Sequence, residues 1–157
     1  MLLIRQAAVY APEYLGVRDV LVCGGVIEAV EEQIEGELPF CKVIDGRGKK
    51  LTPGFIDPHV HITGGGGEGS FHTQVPPVKL SELLQGGVTS LVGLLGTDGI
   101  SRNMESLLAR GKALKEEGLT VYLCTGSYGY PSVTLTGDIR KDIMFVEEII
   151  GVKLALS

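Results

Sequence analysis

Residues 54–69 read GFIDPHVHITGGGGEG and hold two of the chain's three histidines, His59 and His61. Imidazole ligates divalent metal ions and carries protons near neutral pH. Residues two apart on a strand point to the same side, so a strand across 54–61 turns both rings to one face. At the carboxyl end of that strand they can converge on one ion, with zinc–nitrogen bonds of about 2.0–2.1 Å. Two solvated histidines would carry the same letters. The Pro-Gly turn and apolar stretch ahead of the pair, in TPGFIDPHVH, favour the metal reading.

Four glycines, Gly64–Gly67, and then Glu68 follow the pair. A phosphate-cradling loop would continue into Gly-Lys-Ser/Thr. This one continues into a carboxylate, which repels phosphate. The segment reads either as a flexible linker or as a loop whose backbone approaches a ligand closely.

The elements that position these residues follow from periodicity. Residues 1–50 read as all-β, with two alternating runs around Gly24-Gly25 in DVLVCGGVIEAVEE as a hairpin. From residue 51 the pattern changes. Apolar strands at 54–61, 88–96 and 119–128 alternate with helices at 79–87, 101–118 and 138–151, and a last strand starts at 152. Ser81 and Asp138 are the expected N-caps, and Gly118 and Gly151 the expected stops. The continuous apolar runs predict strands buried on both faces. Strand starts near 54, 88, 119 and 152 recur at roughly 30 residues, the βα unit of a parallel sheet. Four such strands make half of a (β/α)8 barrel or part of a doubly wound sheet. A whole barrel takes about 250 residues, so 157 residues ending on a strand are expected to be a truncated one.

Bulk properties narrow the class. Hydrophobic residues are 44% and charged residues 21%, as in a folded domain. A net charge of −5 argues against a nucleic-acid partner. Cys23, Cys41 and Cys124 are widely spaced and odd in number, which fits free thiols in a reducing cytoplasm. No signal peptide is evident, and no apolar run approaches the ~20 residues that span a bilayer.

LTPGFIDPHVH resembles the signature of the metal-dependent amidohydrolase superfamily. GGGGEG, GVTSLVGLLGTDGISRNMESLLARGKAL, TGSYGYPSVTLTGDIRKD and IIGVKLALS together resemble the branch of it that cleaves β-aspartyl (isoaspartyl) dipeptides. The resemblance implies an α/β fold: a small β-sandwich segment over 1–50, then the first four strands of a (β/α)8 (TIM) barrel over 51–157. It implies two divalent metal ions, zinc for preference, held by His59, His61 and Lys153. A protonated lysine has no lone pair to ligate with. A desolvated, neutral one takes up CO2, and the resemblance implies a carbamate on Lys153 bridging both metals. It further implies that Glu68 pairs with the substrate's free α-ammonium, Gly66 supplies a backbone contact, and Thr97 helps hold the α-carboxylate. Tyr128 is implied as the catalytic residue that donates a hydrogen bond to the developing oxyanion. Asp98 and His72 receive no role.

The expected activity is metal-dependent hydrolysis of β-aspartyl dipeptides to aspartate and an amino acid. The expected partners are a small peptide substrate and, at full length, further copies in a homo-oligomer. The chain by itself is expected to be inactive, because the branch's remaining histidines, its aspartate and its arginines belong to later strands. Another amidohydrolase acting on cyclic amides, such as a dihydroorotase or hydantoinase, is the alternative, and a non-catalytic fragment is a third. Glu68 discriminates, since a carboxylate suits a free ammonium better than a ring imide.

Overall fold

A computed structural model describes residues 1–36 and 38–155. The chain divides into two compact units, Met1–Pro53 and Gly54–Ser157.

The first unit is built from β1 (Leu2–Tyr10), β2 (Tyr14–Cys23), β3 (Val26–Glu31), β4 (Lys42–Asp45) and β5 (Lys50–Leu51). The strands form one sheet in the order β3-β2-β1-β4, with β5 also on β1. β2 pairs antiparallel with β1 and β3, while β4 and β5 run parallel to β1. Gly24 and Gly25 make the β2–β3 turn with φ of 57° and 83°, a conformation in which a side chain would be strained. Ala7, Val9 and Val20 are the buried centre of this unit. Its described residues form a single layer rather than the two packed layers of the expected sandwich.

The second unit contains β6 (Phe55–Val60), β7 (Gly65–Gly66), β8 (Gln74–Val75), α1 (Leu80–Gln85), β9 (Val88–Gly93), α2 (Met104–Glu116), β10 (Thr120–Thr125), α3 (Ile139–Phe145) and β11 (Ile149–Val152). β6, β9, β10 and β11 pair side by side in chain order, every pair parallel. This is the repeated strand–helix–strand unit that the 30-residue spacing predicts. β7 and β8 form a separate antiparallel pair. The core gathers Ile62, Leu91, Leu95, Leu107, Leu114 and Leu123, all nearly or fully buried. α2 supplies Met104, Leu107 and Leu114 from one stripe, and Gly111 leaves the room that Leu123 fills. Asn103 caps α2, its side chain accepting the Ser106 N–H at 2.9 Å.

Four expectations are corrected here. α1 begins after Lys79, not at Ser81, and Glu82 accepts the Lys79 N–H at 2.8 Å. α3 ends at Phe145 rather than Gly151, because the backbone at Val146 turns extended and Ile149 already starts β11. Gly151 is a strand residue, and β11 ends at Val152, where the last strand was expected to start, so Lys153 follows it; Leu156 and Ser157 of the expected strand lie outside the described residues. Finally, β10 is buried on one face only: Val121, Leu123 and Thr125 are covered and Thr120 and Tyr122 exposed. Among the described residues no helix is long and apolar enough to cross a membrane.

Candidate active site

Parallel strands bring all their carboxyl ends to one edge of the sheet, so the loops after β6, β9, β10 and β11 emerge together. These loops carry the predicted residues. His59 lies in β6 and His61 just past it; Thr97, Tyr128 and Lys153 follow β9, β10 and β11 respectively. The two imidazoles stack with centroids 5.5 Å apart and planes inclined by 28°, so the strand does turn both to one side.

His61 is half-buried, and its ring sits where two glycines have no Cβ. A methyl on Gly65 would approach the ring's Nδ1 to 2.8 Å, and one on Gly96 to 2.6 Å. The glycine run thus has a packing duty that its letters alone do not disclose. Burial lowers the His61 pKa first, and the charges of His59, Lys153 and Arg102 lower it further against the opposing charge of Glu68. A neutral imidazole keeps the lone pair that a metal needs.

Beyond Gly65 the chain turns through Gly66 and Gly67, with φ of 69° and 100°. Here a side chain would be strained, and a Cβ on Gly66 would meet the Thr73 carbonyl oxygen at 2.6 Å. This turn delivers Glu68 to the loop after β9, where Thr97 Oγ1 donates to Glu68 Oε1 at 2.6 Å. That hydrogen bond first, a backbone hydrogen bond after it, and the charge of Arg102 more weakly hold the Glu68 carboxyl below its ordinary value against partial desolvation. Glu68 and Thr97 line a cleft of about 560 Å³ together with Gly66, Phe71, Asp98 and Ile100. It is an anionic site with an apolar rim, suited to an ammonium group.

Thr97 is therefore engaged with Glu68 rather than free for a carboxylate. Tyr128 is half-exposed in the turn after β10. Lys153 is held by its backbone N–H, which donates to the Thr125 carbonyl at 2.7 Å. Asp98, left without a role, organises its own loop: it accepts the N–H groups of Ile100 and Ser101 at 3.0 and 2.7 Å, and the Ser101 hydroxyl. His72, also unassigned, has its Nδ1 against the Ser70 hydroxyl. Sequence reasoning missed Gly96 and Arg102. A glycine closing an apolar run was a signal for the first. An arginine just before a helix is usually solvated, so nothing marked the second.

The donor set fits part of a divalent metal centre. Two imidazoles lie on one side, His61 braced by glycines and with Lys153 close enough for its charge to act on it. Among the described residues no group of three or more His, Cys, Asp or Glu side chains is arranged so that it could hold a metal ion. Catalytic zinc takes three protein ligands and a water, so the two imidazoles are a partial set, and a protonated Lys153 has no lone pair to add to it.

No family model matches the chain. Two solved structures of β-aspartyl dipeptidase from Fervidobacterium islandicum AW-1 match it over 99% of its length. One is 47% identical with a TM-score of 0.93; the other, in complex with β-Asp-Leu, is 46% identical with a TM-score of 0.91. The chain spans 41–43% of those structures. A dihydroorotase of Listeria monocytogenes is 28% identical over 144 residues, 88% of this chain and 33% of that protein. An imidazolonepropionase of Alkaliphilus metalliredigens is 34% identical over 100 residues, 59% of this chain and 22% of that protein.

Proposed function

We propose that this chain, which belongs to the amidohydrolase superfamily, forms the β6–β11 part of a (β/α)8-barrel active site that hydrolyses β-aspartyl dipeptides. The observation that carries the reading is the Glu68–Thr97 pair in its cleft, with His61 near enough for the Glu68 charge to act on it. A β-aspartyl peptide keeps its α-ammonium and α-carboxylate free, and Glu68 is an ionised acceptor for the first. The likeness at 46–47% identity to an enzyme whose structure was solved with β-Asp-Leu supports the same substrate class.

His59, His61 and a Lys153 carbamate would hold two divalent ions, zinc in this reading. Bound there, such ions lower the pKa of water and polarise a carbonyl oxygen. The chain's own residues do the rest. Glu68 fixes the α-ammonium, and Gly66 lets the backbone come close. Thr97 aligns the Glu68 carboxylate and passes its hydroxyl to the α-carboxylate as the ammonium takes over Glu68. Tyr128 donates to the oxygen of the scissile amide as negative charge grows there. The three unpaired cysteines fit a reducing cytoplasm.

The test uses the protein that carries this chain, with β-Asp-Leu and dihydroorotate compared as substrates. β-Asp-Leu should be hydrolysed in preference. Glu68→Gln should lower kcat/KM by about tenfold or more, chiefly through KM, because it removes a charge-assisted contact to the ammonium. Preferential turnover of dihydroorotate would replace this reading with the cyclic-amide one.

A further inference from the structure

Two loops bring Glu68 and Thr97 together, and one side chain holds both loops. Arg102, at the end of the loop after β9, reaches across to the glycine-rich loop. Its Nε donates to the Thr63 carbonyl at 3.2 Å and its Nη2 to the Gly65 carbonyl at 3.5 Å. Its Nη1 donates to Asp98 Oδ2 at 3.2 Å, in its own loop. The ion pair is shielded, with side-chain exposures of 13% and 20%, so water competes weakly for it. Asp98 is itself fixed by the N–H groups of Ile100 and Ser101. Among the described residues no other side chain of this loop hydrogen-bonds to the backbone of residues 63–65.

We propose that Arg102 is a positioning residue, which locks the glycine-rich loop so that Glu68 stands where the substrate's ammonium binds. The three acceptors are met by three different nitrogens of one planar guanidinium. A lysine ammonium on a flexible stem keeps the charge but not the fork. The run Gly64–Gly67 has no side chains to order it, and three of its four residues have positive φ. Order has to be imposed by partners, and Arg102 holds the carbonyls on either side of Gly64. The inference rests on the proposed role of Glu68 and extends it to a residue outside the cleft's lining.

Arg102→Lys and Arg102→Gln test it in the protein that carries this chain. Hydrogen exchange in the ligand-free protein should rise at residues 63–68 in both variants and stay unchanged in α2 and β10. That readout is independent of substrate. With β-Asp-Leu, kcat/KM should fall about tenfold or more in both variants, since small misplacements of a binding group are costly. The fall should lie chiefly in KM, and metal content should stay at the wild-type level. The wild-type preference for β-Asp-Leu over N-succinyl-leucine, which lacks the α-ammonium, should shrink towards that of Glu68→Gln. Unchanged exchange at 63–68 would overturn the proposal, as would a lysine variant with wild-type KM. A wild-type protein indifferent to the ammonium, with exchange still raised in the variants, would leave the clamp standing and reject the role of Glu68 instead.

Discussion

Single residues show how far letters lead to chemistry. His59 and His61 are legible because their spacing and the strand's alternation converge on one outcome, and the rings do stack on one side. Glu68 is legible as a carboxylate in a place where a phosphate loop would carry a cation. Its bond to Thr97 is not legible, since 29 residues separate the partners. The same holds for Gly96, whose missing Cβ makes room for His61. If the histidines hold metal, His59→Ala combined with His61→Ala should lower the zinc retained after dialysis, read by atomic absorption, while far-ultraviolet circular dichroism stays as in the wild type. Unchanged zinc content would remove both residues from the metal site.

At the scale of elements, strong patterns are placed closely and weak ones are not: α2, expected over 101–118, runs Met104–Glu116. α2 has an apolar stripe, a capping asparagine and a glycine stop, with Gly118 at φ of 103°. α3 has a clear start at Asp138, but Phe145, Val146, Ile149 and Ile150 continue a helical spacing past its true end. Ile149 was claimed by β11 because it pairs with Leu123, and pairing with a neighbouring strand cannot be read from the spacing. Asn103→Ala should lower stability by about 1 kcal/mol, the usual loss for an N-cap side chain. A lower urea midpoint with an unchanged slope would check it.

At the scale of the molecule, each unit contains a buried carboxylate that hydrogen bonding keeps ionised. Burial pushes Asp19 up, but the N–H groups of Ile34 and Gln6 outweigh it and hold the carboxyl below its ordinary value of 3.8. Burial likewise opposes Asp142, where the hydroxyls of Thr125 and Thr136 and two backbone N–H groups prevail. Glu148 is lowered first by its hydrogen bond from Lys112, against burial. Each folded-state pKa is depressed. The stabilisation is therefore complete above the ordinary values of 3.8 and 4.5, and is lost as pH falls through the lowered ones. Urea midpoints should hold steady from pH 7 to 5 and drop steeply below 4. Asp142→Asn should be less stable at pH 7 and less sensitive to acid, and an acid slope equal to the wild type's would reject its part.

The sequence by itself determined the order and kind of the longer elements, the change from an all-β segment to strand–helix repeats, and the histidine pair. Those depend on residues a few positions apart, whose periodicity is visible in one dimension. Only the tertiary structure decided which atoms meet: Glu68 with Thr97, Arg102 with the carbonyls of Thr63 and Gly65, and the His61 ring with two glycines. The Glu68–Thr97 and Arg102 contacts span 29 to 39 residues. They exist because parallel pairing fixes the register of β6 against β9, which sets the two loops side by side at the sheet's carboxyl edge.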